Sequence, residues 1–124
     1  MPRLLLLAAA GAVGTLARYG VGRLLQRTAG VTFPWGTLAV NLAGCFLAGV
    51  LFTALASRAG LNGEAQMLVL VGFMGAFTTF SALMLDVGQM VAATRWLRAG
   101  LTLLLHNAVG LALMLAGLAL GRQL

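Results

Sequence analysis

Gly72-Phe73-Met74-Gly75-Ala76-Phe77-Thr78-Thr79-Phe80-Ser81 decides how the rest of the chain is read. It lies within a long apolar run bounded by Glu64 and Arg95 and interrupted only by Asp86. Two glycines followed by two β-branched threonines make a poor helix interior. Glycine costs about 1 kcal/mol relative to alanine there, and threonine somewhat less. Lipid offers no hydrogen-bond partner to backbone that leaves a helix, so a break at mid-span must find partners inside the protein. Such breaks line cavities, or turn their carbonyls toward cations. The expectation is a helix broken near the membrane midplane, with three further helices built around it.

Composition supplies the membrane. The 124 residues are 61% hydrophobic and 8% charged, against roughly 25% charged in a soluble domain. Mean hydropathy is +1.02. The length suits four short spans in a single domain and leaves almost nothing outside the bilayer. Eight arginines stand against Glu64 and Asp86, with no lysine, for a net charge of +6. They are scattered singly between apolar runs, so they read as headgroup anchors and topology signals rather than a nucleic-acid surface. Cys45 has no second cysteine to pair with and reads as a small packing residue. One histidine, one cysteine and two distant carboxylates support neither a metal hydrolase nor a nucleophile triad. No catalytic residue is expected.

The four spans are expected at about 4–25, 33–56, 65–93 and 99–121. The opening Met-Pro-Arg and the apolar run after it resemble a signal peptide. Three spans follow, and the first is read as a retained helix. It carries Arg18, which either snorkels to the headgroups or stands at the mouth of an aqueous vestibule. Phe33-Pro34-Trp35 opens the second span at the interface. Thr37 and Asn41, four apart, share a face that Gly44 and Ala48 continue. Asn41 is the one amide of that span, fit for an interhelical hydrogen bond or for an N–H aimed at a pore. Arg58, Gly60, Asn62, Gly63 and Glu64 have the composition of a turn.

The two halves of the third span are each too short to cross ~30 Å alone. Asp86 must face water or pair with an arginine, because an unpaired carboxylate in lipid is costly. The fourth span carries small-residue rows, Ala108, Ala112 and Ala116 beside Gly110, Gly117 and Gly121, that read as a packing face. His106 and Asn107 are its polar exceptions, and the histidine reads as a hydrogen-bonded packing residue.

Arg3, Arg58 and Arg122 fall on one side of the membrane, and Arg23, Arg27, Arg95 and Arg98 on the other. Arg18 would add to the second group. So even a count gives the positive-inside rule little to act on. Both orientations are open to one sequence, which permits antiparallel dimers.

Three stretches in this order carry a resemblance. They are Gly11-Ala-Val-Gly-Thr-Leu-Ala-Arg-Tyr19, Trp35-Gly-Thr-Leu-Ala-Val-Asn-Leu-Ala-Gly-Cys-Phe46, and the Gly72–Ser81 stretch. Together they resemble the signatures of the small fluoride channels called Fluc or CrcB, over nearly the whole chain. The fourth span matches only generically. The resemblance implies an all-α membrane protein of the bacterial inner membrane, multi-pass, with a broken third helix. It further implies a dual-topology antiparallel homodimer, with two fluoride paths along the subunit interface. A sodium ion on the two-fold axis would be held by the backbone carbonyls of Gly75 and Thr78. Asn41 corresponds to the family's pore asparagine, Arg18 to its vestibule arginine, and Phe80 to the first of its two pore phenylalanines. The chain departs from the pattern at Leu83, where the second phenylalanine is usual, and at Met84, Ala76, Phe77 and Asp86.

The chemistry of such a path stands on the residues as well. Fluoride is small and strongly hydrated, so a path must replace its water with several weak donors in series. The Asn41 N–H, the Thr79 and Ser81 hydroxyls and the positive edge of the Phe80 ring are donors of that kind, with Thr37 on the same face as Asn41. Scarce fixed charge lets the anion leave again. The expected function is passive fluoride export that lowers the internal concentration, with a second copy or a related subunit as partner. Two other classes are weighed against it. A small proton-coupled multidrug exporter needs a membrane-embedded acid, and the first span has none. A non-transporting assembly protein held by small-residue faces leaves the break and the Thr37/Asn41 face unexplained.

Overall fold

The computed structural model describes residues 1–57 and 63–124. The turn reading at Arg58, Gly60 and Asn62 lies outside the described residues. Four helices are long and apolar enough to cross a membrane. The first, α1, runs Pro2–Ala29 and the second, α2, Trp35–Ser57. The third span is in two pieces, α3 over residues 63–77 and α4 over Phe80–Ala92. The fourth, α5, runs Trp96–Gly121. At 1.5 Å per residue neither α3 nor α4 reaches ~30 Å. Gly63 and Glu64, expected in a turn, already belong to the first turn of α3. An acidic residue there complements the positive end of the helix, and Glu64 also meets Arg3 at 3.4 Å.

Two of the helices are not uniform. Leu68–Met74 of α3 and Leu105–Val109 of α5 are π-helical. Each inserts residues into the 3.6-residue repeat and so re-aims the side chains beyond it.

The helices pack through small residues, as expected where lipid is as apolar as leucine and only close approach gives an advantage. The most extensive contact is between α2 and α5. A Cβ on Gly117 would fall 2.2 Å from the Phe46 carbonyl oxygen, so no side chain fits there. Gly14 of α1 stands likewise against the Phe73 carbonyl of α3, where a Cβ would come within 2.3 Å. The buried cluster is small: Val40, Met74 and Phe77, with Phe73 stacked on Phe77 at 5.7 Å between ring centroids. Most of the remaining leucines face outward, toward lipid.

Polar fasteners close the end where α1 meets α2. Gln26 is the one amide of α1. Its Nε2 donates to the Phe33 carbonyl at 2.9 Å and its Oε1 accepts from the Gly36 N–H at 3.0 Å, which satisfies a free donor at the start of α2. The Arg98 guanidinium donates to the Thr32 carbonyl at 3.2 Å and ties the start of α5 to the same loop.

Candidate functional site

The last rung of the α3 ladder is the Thr78 N–H donating to the Met74 carbonyl at 3.1 Å, and the Thr78 hydroxyl donates to the same carbonyl at 3.0 Å. Thr78 and Thr79 are then extended, with φ/ψ of −85°/157° and −151°/114°. In a continuous helix the Thr79 N–H would bond the Gly75 carbonyl. Here it donates to Asn41 Oδ1 at 2.8 Å, and Asn41 Nδ2 donates back to the Thr79 carbonyl at 3.0 Å. The side-chain amide of α2 thus stands in for a strand partner, and both polar groups of Thr79 are satisfied away from lipid. The chain re-enters helix at once. Thr79 Oγ1 caps α4 by accepting from the Ala82 N–H at 3.2 Å and lies 3.3 Å from Ser81 Oγ.

Asn41 reaches the break because Gly44, one turn further along α2, has no side chain. A Cβ at Gly44 would come within 2.1 Å of Thr78 Cγ2. Residues 41 and 44 share a face, so the amide and the missing side chain act together. One supplies the bonds, and the other the room.

Two cavities flank this clamp. The first, about 420 Å³, is lined by Asn41, Gly75, Thr78, Thr79, Phe80 and Leu83, together with His106 and Asn107 of α5. The second, about 590 Å³, is lined by Arg18, Thr37, Thr79 and Ala82 among others. Thr79 borders both, and Arg18 and Arg23 bring charge to the second. A third cavity of about 330 Å³ holds Asp86 with Arg95 and Arg98, and Thr37 borders it as well. Asp86 pairs with neither arginine within 4 Å, and its Oδ2 is buried without a partner.

The candidate residues of the sequence reading therefore gather around one feature. Asn41, Thr79, Phe80, Leu83 and the carbonyl-bearing Gly75 and Thr78 line one cavity. Arg18 and Thr37 line the next, and Ser81 sits beside Thr79. Asn41 makes the interhelical hydrogen bond that was one of its two readings, and it also borders the first cavity. One of its two amide hydrogens serves the Thr79 carbonyl. Phe80 is 74% exposed and Leu83 only 5%, so the two positions are not equivalent in this chain. Phe77 is buried against Phe73 and Val40 and takes no part in the cavity wall. Gln26 escaped the sequence reading, and its signal was that it is the single amide of α1. Nothing in local sequence marked the π-turn that carries His106.

Among the described residues no three of His, Cys, Asp and Glu gather as a metal site. What does gather is an uncharged row of amide, hydroxyl and aromatic edge, beside a cavity lined by two arginines, Arg18 and Arg23. A helical membrane protein of four spans, organised around an uncharged break between cavities, is built to pass a small solute. The chain belongs to the CrcB family: residues 5–118 match the family model described as CrcB-like protein, Camphor Resistance (CrcB). It is 50% identical to a protein of Desulforapulum autotrophicum named fluoride-specific ion channel FluC, over 94% of this chain and 93% of that one. Proteins of the same name from Solidesulfovibrio magneticus and Nitrosococcus oceani are 47% and 41% identical, with the same coverage.

Proposed function

We propose that this protein is a fluoride channel that lets the anion run passively down its gradient and out of the cell, and that it is not an enzyme. The observation that carries the reading is the Asn41–Thr79 clamp. It holds a helix break open without any charged group, and the same amide borders the cavity beside Phe80. Arg18 attracts the anion into the outer cavity. Thr37, Thr79 and Ser81 hydroxyls, the Asn41 N–H and the ring edge of Phe80 then replace its water in turn. No fixed charge sits at the clamp itself, so the anion is not trapped there. The narrow row favours fluoride over the larger chloride.

The assembly proposed is an antiparallel homodimer in the cytoplasmic membrane of a bacterium. Phe80, three-quarters exposed beside a mid-span break, is better covered by a second copy than left to lipid. A sodium ion fits the same assembly. Thr79's N–H is taken by Asn41, so the helix ladder no longer claims the Gly75 carbonyl, and Thr78 is extended beside it. Two carbonyls from each copy make a set of hard oxygen donors, the kind that suits a small hard cation. When bound, the ion would hold the two breaks together by charge. It has no part in the path itself.

A fluoride-sensitive bacterial strain tests the function directly. Expression of this chain should restore growth in fluoride at concentrations that stop the parent, and Asn41→Ala should not. Equal growth with either chain, at equal membrane levels, would remove the clamp from the mechanism.

A further inference from the structure

The proposed function leaves unused the third cavity, which Asp86 shares with Arg95 and Arg98. Asp86, Gln89, Met90 and Ala93 follow one another at the spacing of a single helix face, and all four line it, so that face of α4 is turned toward the cavity. Asp86 is half-buried. Its Oδ2 is closed off without a partner, while Oδ1, which has no partner either, stays accessible. Asp86 stands six residues, about 9 Å, inside the end of α4 at Ala92. Arg95 and Arg98 are exposed at the start of α5. Arg98 uses one N–H on the Thr32 carbonyl, which leaves the rest of its fork for an anionic group. The cavity, about 330 Å³, thus has a negative floor and a positive rim, with neither arginine within 4 Å of the carboxylate. An unpaired carboxylate in a span is costly, and unlike charges held apart in one cavity are complementary to a ligand that carries both.

Its position says where such a ligand comes from. The loop between α1 and α2 and the turn between α4 and α5 both line the cavity, so it lies at the end of the spans, where headgroups are. Trp35 and Trp96, both exposed, open α2 and α5 at the same end, as an interfacial belt does. We infer that this cavity holds the headgroup of phosphatidylethanolamine, a zwitterionic phospholipid, with its phosphate against Arg95 and Arg98 at the rim and its ammonium turned inward to Asp86. The guanidinium fork matches phosphate oxygens, and a primary ammonium brings three N–H donors to the carboxylate. A choline headgroup has no N–H to give. A glycerol headgroup has no positive charge and leaves Asp86 unpaired. The site does not depend on which ion the protein passes.

Trp35 and Trp96 are the two tryptophans of the chain, and each is next in sequence to a residue that lines the cavity. Quenching of their fluorescence by brominated phospholipids therefore reads occupancy at this end of the molecule. The purified protein is placed in phosphatidylcholine vesicles carrying a small fraction of one brominated lipid. Brominated phosphatidylethanolamine should quench with an apparent affinity about fivefold above that of brominated phosphatidylglycerol, a factor that one partly exposed ion pair supplies. Asp86→Asn, which keeps the shape of the side chain, should remove that preference. Arg95→Gln together with Arg98→Gln should weaken quenching by both lipids. Equal quenching by the two lipids in the parent, tighter binding of the phosphatidylglycerol, or a preference kept in Asp86→Asn would each overturn the inference. The comparison in the parent decides even where a variant does not fold. Displacement of the brominated lipid by free phosphoethanolamine would assign the cavity to a soluble zwitterion and overturn the lipid as its occupant.

Discussion

Asn41 closes two hydrogen bonds on one residue of the break, and its replacement by alanine removes both. A hydrogen bond between helices in a membrane contributes about 0.6 kcal/mol on average, and one in a buried soluble setting about 1 kcal/mol. Asn41→Ala should therefore cost about 1–3 kcal/mol of stability, measured by thermal unfolding in detergent, and cut fluoride release at least tenfold. Asn41→Asp should be no milder, because a carboxylate cannot donate to the Thr79 carbonyl. Leu83 is buried yet borders a cavity of about 420 Å³, which gives a larger ring room to turn. Leu83→Phe should fold as well as the parent, at a cost within about 1.5 kcal/mol, and should speed fluoride release by adding a second ring edge. Unchanged or slower release would separate Leu83 from the path. At this scale the sequence was most informative about polar residues in apolar runs, since Asn41, Thr37 and Arg18 have few reasons to be there. It was less so about Phe77. An aromatic in such a stretch suits a core or a path equally, and only its stacking on Phe73 places it in the core.

The break was legible as an element because glycine and threonine disfavour helix in a way that needs no tertiary context. Its support was not, since the room for Thr78 comes from a residue 34 positions earlier. Gly44→Ala brings a Cβ to 2.1 Å from Thr78 Cγ2. It must push the break off α2 and pull the Asn41 bonds apart, so both thermal stability and fluoride release should fall. Gly20→Ala in α1 meets no atom within 4 Å and should be neutral or stabilising by about 0.5–1 kcal/mol. Equal effects at the two positions would mean that helix propensity, not close approach, governs Gly44. The π-turns were beyond the sequence for a different reason. Their single-turn geometry is a local answer to packing, and the side-chain pattern of residues 105–109 reads as ordinary helix.

Across the whole molecule, charge and length speak for different things. The four spans follow from hydropathy, and the described ends agree with Arg3 and Glu64 meeting on one side. The orientation in the membrane does not follow, because the arginines on the two sides are nearly matched in number. The proposed antiparallel pair predicts that single cysteines placed near the C-terminus are labelled by impermeant reagent from both sides of the membrane in similar amounts. Labelling confined to one side would rule that pair out. The proposed carbonyl site predicts that sodium stabilises the dimer against dissociation in detergent more than an equal concentration of a large organic cation, which cannot enter four carbonyl oxygens.

The central claim is fluoride conduction past an uncharged, amide-clamped break, and ion release from liposomes holding the purified protein meets it most directly. Fluoride and chloride are followed in the same preparation after the membrane potential is collapsed. The account predicts rapid release of fluoride with chloride retained, and loss of the fluoride phase in Asn41→Ala. Release of chloride at a similar rate, or of neither ion from a folded protein, would contradict it.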